Sequence, residues 1–277
     1  MWRGNKALLF LLLTAAIQGS TFPLQKLVVL EISPFAYNTI RFGSAAVFSL
    51  LVFGFGKFFK GFALGIVLCG SYIFQIWGLK LTSATKSGFI ISSFVFLVPV
   101  FAFLLEKEKL ERYHLLSFLL GVLGIYILTG GTRGFSLGDL FQVFCAILFA
   151  LHVVLITKFS RSEKEENMLF WQFATVAGVN LVFSLNRHWK ISSGSLLVGL
   201  YSGILATFLG IFWQMRYQKE IGNNATALVY MTQPFISTLL SFILLEERLS
   251  TFQFFGGILT LVALFVGTSL KGGKSIN

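Results

Sequence analysis

Four polar residues stand on one face of the first apolar stretch. Thr14, Gln18, Thr21 and Gln25 recur at i, i+4, i+7 and i+11, a spacing that aligns side chains along a helix. A second stripe runs through Thr226, Tyr230, Gln233, Ser237 and Ser241. Polar groups in apolar helices are costly unless they pair or face water. Each stripe is therefore either a hydrogen-bonding wall toward a polar interior or a seam between helices. Two further groups, Tyr72, Gln75 and Trp77, and Tyr201, Thr207, Trp213 and Gln214, add rings and amides. Such residues bind by hydrogen bonds and apolar contact. The candidate binding set is Gln18, Thr21, Tyr72, Gln75, Trp77, Trp213, Gln214, Tyr230 and Gln233. Trp77 and Trp213 fit equally well as packing or interfacial anchors.

The ionisable residues point to little covalent chemistry. His114, His152 and His188 are scattered, and no carboxylate is expected mid-membrane. No nucleophile, acid/base pair or metal cluster stands out, so an enzyme is not expected. His152 lies within an apolar stretch and is either a packing residue or a carrier of a coupling proton. Arg41 is the most embedded charge, about two turns into its segment. It either attracts an anion, caps carbonyls or snorkels outward. Lys86 is expected to snorkel from an outer edge, with a gating role open. Pro99 and Pro234 occupy related positions deep in two apolar segments, and each is read as a hinge or a static bend. Pro34 suits a helix start. Cys69 and Cys145 read as small apolar helix residues, without disulfide or metal spacing. No cofactor or metal is expected.

The elements that carry these residues must be membrane helices. Of the 277 residues, 56% are hydrophobic and 12% charged, and the mean hydropathy is +0.81. The net charge of +11 suggests nucleic acid only for a soluble chain; here the bases lie between apolar segments. With about 20 apolar residues needed per crossing, ten spans are expected, at 6–28, 35–54, 61–80, 84–105, 113–130, 138–158, 168–185, 195–215, 224–245 and 251–270. The runs are too long for barrel strands. The first resembles a signal-peptide core over Ala7–Ile17, yet its apolar character continues toward Leu30, so it is expected to stay. With the N-terminus inside, fourteen of the 22 Lys and Arg fall on the inner side and seven on the outer. That excess places both termini in the cytoplasm.

The two halves repeat. Ala84-Thr85, an apolar run with Pro99, then Glu108-Lys109-Leu110 match Ala225-Thr226, a run with Pro234, then Glu247-Arg248-Leu249. An odd number of spans per half inverts the second copy, as in many secondary transporters. The expected fold is all-α: ten transmembrane helices as two inverted five-helix repeats, 1–134 and 135–277.

These features resemble the EamA branch of the drug/metabolite transporter superfamily. The matching residues are Gly19-Ser20-Thr21-Phe22 with Lys26, Arg41-Phe42, Thr82 to Phe89, Pro99-Val100-Phe101, Gly121-Val122-Leu123-Gly124, Gly138-Asp139, Pro234 and Leu245-Glu246-Glu247-Arg248-Leu249. Ser117 stands where that pattern usually has glycine. The resemblance implies a central cavity lined by spans 1, 3, 4, 6, 8 and 9, with spans 5 and 10 peripheral. It also places an arginine at 41 whatever the solute, which favours a structural role there. It implies transport of a small solute, commonly export of amino acids or similar metabolites, in a bacterial or archaeal cytoplasmic (inner) membrane. The partners are then a solute, the lipid bilayer and, through His152, a possible coupling proton. The competing classes are a membrane-embedded enzyme and a scaffold or sensor; the latter would carry a surface domain or long tail. The polar stripes predict a site that is polar but largely uncharged.

Overall fold

A computed structural model describes residues 2–107, 109, 111–187, 189–230 and 232–269, with side chains placed except at 2–5, 222–225, 227, 228 and 267–269. Glu108 and Leu110 of the repeat motif, and His188, lie outside the described residues.

The described chain is helical, without strands. Its helices are α1 (Trp2–Val28), α2 (Pro34–Phe53), α3 (Phe58–Leu81), α4 (Ala84–Ser92), α5 (Phe94–Glu106), α6 (Arg112–Leu128), α7 (Gly131–Gly134), α8 (Leu137–Ser160), α9 (Glu166–Ser184) and α10 (Ser193–Tyr201). A π-helical segment, Ser202–Leu209, follows, then α11 (Gly210–Tyr230), α12 (Thr232–Leu245) and α13 (Thr251–Ser269). Among the described residues, six helical stretches are long and apolar enough to cross a membrane, and Arg112–Leu128, Thr232–Leu245 and Thr251–Val266 are shorter apolar helices. Two expected boundaries differ. Span 84–105 is divided at Ser93 into α4 and α5. The connection expected at 216–223 is helical, within α11, because Gln218, Lys219 and Glu220 break the hydropathy while favouring helix.

The surface is apolar and much of the interior polar. Leu9, Leu51, Phe59, Leu104, Leu119, Val182, Leu197 and Phe255 are exposed, whereas Gln25, Asn38, Arg41, Gln142, Gln172 and Asn180 are buried. A soluble chain with so much exposed apolar area would aggregate; in a bilayer the same area meets lipid tails. Inside, α2 packs against α9, α3 against α8 and α9, and α1 against α11 and α12. The α6–α13 pair stands aside from the cavity described below. A Cβ on Gly124 would lie 2.6 Å from Thr260 N, and one on Gly256 2.3 Å from Leu128 N. Small residues at that seam let two backbones touch, and Ser117 Oγ donates to Ala263 O at 2.6 Å.

Polar contacts gather the chain at two ends. At one end Lys57 pairs with Glu163 (2.8 Å), Arg161 with Glu106 (2.7 Å), Arg216 with Glu166 (3.8 Å), and Lys219 with Glu165. At the other, Lys26 Nζ donates to the carbonyls of Leu79 and Thr82 at 2.8 and 2.7 Å, complementing the C-terminus of α3. Glu247 accepts from the amides of Ala84 and Thr85 at 2.8 and 2.9 Å, capping α4. Lys86 does not snorkel: its Nζ donates to Thr129 O and Gly134 O and lies 3.6 Å from buried Asp139. Carbonyls and a carboxylate within reach outweigh a route to solvent.

One clasp responds to pH. Glu163 accepts from Lys57 and, at 2.6 Å, from Asn167. Those hydrogen bonds hold its carboxyl at about 2, below the ordinary 4.5. A depressed folded-state value stabilises above the ordinary value and is lost as pH falls toward the folded one. The thermal advantage of the natural protein over Glu163→Gln is expected to be full above pH 4.5 and to fade between 4.5 and 2. A difference constant across that window would show the clasp contributes nothing.

Candidate functional site

The polar stripe of α1 places Gln18 and Thr21 at the wall of a cavity of about 60 Å³ deep in the bundle. Arg41 of α2, Tyr72 and Gln75 of α3, and His152 of α8 share that wall, as do Gln214 and Tyr230 of α11 and Gln233 of α12. Apolar area comes from Phe22, Leu68, Ile91, Phe94, Phe149, Val153 and Ile211. The volume holds a few waters or a small solute.

Gln18 is the hub. Its Oε1 accepts from Gln233 Nε2 at 2.8 Å, and its Nε2 donates to Ala206 O at 3.3 Å. The bond depends on a close crossing: a Cβ on Gly19 would lie 2.7 Å from Gln233 O, so only glycine lets α12 approach α1 here. Ala206 belongs to the π segment, whose wide turns shift the usual helical bonding and suit functional sites. Gly203 in the same segment abuts α2, where a Cβ would lie 2.2 Å from Arg41 O. The run of small residues Ser202, Gly203, Ala206 and Thr207 is the one sequence signal for this segment.

Arg41 is 2% exposed and does not reach outward. Its Nε donates to Thr207 Oγ1 at 2.8 Å, Nη1 to Gln25 Oε1 at 3.2 Å and Nη2 to Tyr72 Oη at 3.3 Å. Its guanidinium carbon lies 4.4 Å from the Tyr72 ring centre. The expectation of a largely uncharged site is therefore corrected: side-chain acceptors on α1, α3 and the π segment hold this charge at the cavity wall. His152 Nε2 faces Gln172 Oε1 at 3.3 Å while also lining the cavity.

Four of the expected site residues lie elsewhere. Trp77 packs edge-on to Phe35 and beneath Lys80, and Trp213 packs on Phe10. Neither lines the cavity. Pro99 sits within α5. Pro234 stands buried within α12, next to the cavity residue Gln233. The sequence does not single out Phe149, which stacks edge-on to Tyr72 at 5.2 Å; Asp139 of the Gly138-Asp139 pair is buried and accepts from Thr82 Oγ1 at 2.6 Å. Among the described residues no cluster of three His, Cys, Asp or Glu could hold a metal.

This arrangement has known counterparts. The profile of the EamA-like transporter family matches residues 5–130 and again 136–268. The chain belongs to that family. An uncharacterized transporter of Archaeoglobus fulgidus is 33% identical over 258 residues, 92% of this chain and 83% of the relative. The uncharacterized transporter YyaM of Bacillus subtilis is 24% identical over 275 residues, 91% of this chain and 90% of the relative. A solved crystal structure superposes with a TM-score of 0.71 at 21% identity, covering 96% of this chain and 97% of the other, a likeness of fold. The EamA-like chain is thus a multi-pass membrane protein of a transporter family, with several of its buried polar residues lining a cavity.

Proposed function

We propose that this protein is a secondary transporter that carries a small polar solute through the cavity by alternating access. Two inverted five-helix halves, 1–134 and 135–277, rock about the site and together make ten crossings. The observation that carries this reading is the hydrogen bond between Gln18 and Gln233. It joins one residue from each half at the wall of a polar cavity inside an apolar bundle. Three facts support the repeat. The family profile matches twice in tandem. The helices that carry Pro99 and Pro234, α5 and α12, each give way to a residue with left-handed backbone, Lys107 (φ 56°) and Glu246 (φ 54°). In each case a glutamate follows, Glu108 and Glu247. In this reading the polar stretch 216–223 of α11 connects crossings eight and nine.

The charge asymmetry supports both termini inside, and the archaeal and bacterial relatives suit a cytoplasmic membrane. The amide and aromatic lining suits amino acids or similar metabolites, with export as the direction and His152 as the group that a coupling proton would use. Gln18, Thr21, Tyr72, Gln75, Gln214, Tyr230 and Gln233 bind the solute. Pro99 and Pro234 are the hinge candidates.

The topology has a direct test. Both native thiols, Cys69 and Cys145, are buried. Glu108→Cys and Glu247→Cys are expected to react with a membrane-impermeant maleimide from opposite sides of sealed vesicles. Labelling from the same side would eliminate the inverted repeat.

A further inference from the structure

We infer that the cavity takes a solute bearing an anionic group, and that Arg41 is its counter-charge. The inference rests on the reading of this cavity as the solute's site. A guanidinium carries five N–H donors, and Arg41 uses three, on Thr207, Gln25 and Tyr72. All three acceptors are neutral, so they orient the charge without cancelling it. Among the described residues no carboxylate forms an ion pair with Arg41. The other inward-turned cations differ. Lys86 has Asp139, and Lys26 has the carbonyl end of α3. A charge held 2% exposed in an apolar bundle without a counter-ion is expensive, and a cavity at its side offers a place for one.

Two of the unpaired groups here have the matching polarity; a third, Gln75 Oε1 on the cavity wall, is a buried acceptor without a partner and is served by water or an N–H of the solute. Gln25 Nε2 and Tyr230 Oη are buried without a hydrogen-bond partner. Tyr230 is 3% exposed and lines the same cavity as Arg41, and the Gln25 amide is already bonded to Arg41 through its oxygen. With the two spare guanidinium N–H groups, these are donors left without acceptors, and burying a donor unpaired is costly. A carboxylate or phosphate oxygen, which only accepts, satisfies them; a cation or an apolar molecule does not. A purely structural Arg41 would explain its three bonds and leave the unpaired donors and the uncancelled charge unexplained.

The test is equilibrium binding to the purified full chain in lipid nanodiscs. The probes are acetate and propionate, each against its neutral amide of nearly equal shape, and inorganic phosphate. Saturable binding of the acid about tenfold or more tighter than the amide is expected. Arg41→Lys should retain part of that preference and Arg41→Gln should lose it. Phosphate displacing the carboxylates at lower concentration would assign the anionic group to phosphate; the reverse would assign it to carboxylate. Equal binding of acid and amide overturns the inference, as does the absence of saturable binding of any anion or a preference that survives in Arg41→Gln. If Arg41→Gln does not fold, the acid-over-amide comparison on the natural protein still decides. Anion binding without solute movement across liposomes would sink the transport reading and leave this one standing. Amides carried as fast as acids would do the opposite.

Discussion

Gly256→Leu is expected to cost more than about 3 kcal/mol of stability and to leave little folded protein after extraction. The site of the new side chain is occupied by backbone: Leu128 N at 2.3 Å, Gly124 O at 2.8 Å and Ile127 C at 2.8 Å from the added Cβ. Backbone cannot swing away as a flexible side chain does, so α13 has to separate from α6. Separation also breaks the bond from Ser117 Oγ to Ala263 O and the close contact of Gly124 with Thr260. In a bilayer such contacts are what holds helices together, because lipid tails are as apolar as leucine. The measurement is the unfolding midpoint in detergent, with Gly43→Leu as control, since nothing lies within 4 Å of a Cβ there. A midpoint for Gly256→Leu equal to that of the control would mean the α6–α13 seam is not a tight one.

Gln233→Leu is expected to act the other way, with a small effect on stability and a large one on flux. The lost hydrogen bond to Gln18 is between helices, and such bonds average about 0.6 kcal/mol in membrane proteins. The freed Gln18 Oε1 faces a cavity where water can serve it. The solute has no such substitute, since the bond couples α1 and α12 and sets the Gln18 amide against Ala206 O. A fall in transport of about tenfold or more with an unchanged unfolding midpoint is the expected pair of results. Transport at the natural rate would remove Gln233 from the site.

The residues met along the cavity show what a sequence can and cannot disclose. Gln18 and Gln233 were legible because the cost of a buried amide makes helical periodicity a sign of an interior face. The two tryptophans, which fit packing as well as binding, stand off the cavity for a reason that periodicity itself contains. Trp77 is two positions beyond Gln75, which turns it to the far side of α3, and Trp213 is one position from Gln214. The depth of Arg41 was readable, but its neighbours were not, because Gln25, Tyr72 and Thr207 come from three other elements. The same limit hid the pairing of Lys86 with Asp139 and the cap that Glu247 places on α4. Hydropathy located most helices well. It left 216–223 as a connection, where the polar residues are good helix formers and continue α11, and it ran across Ser93, where the chain divides into two helices.

Passage of the solute through the cavity can be tested at Val153, which lines it, is 8% exposed and makes no hydrogen bond with its side chain. The measurement is counterflow of radiolabelled solutes, amino acids included, in liposomes carrying Val153→Cys, before and after reaction with a small methanethiosulfonate. Counterflow in the unreacted variant, its loss on modification and its return with reductant are expected, while the natural protein, with Cys69 and Cys145 buried, stays unaffected by the reagent. Counterflow that persists after complete modification, or no counterflow of any solute in a broad panel, would contradict transport through this cavity.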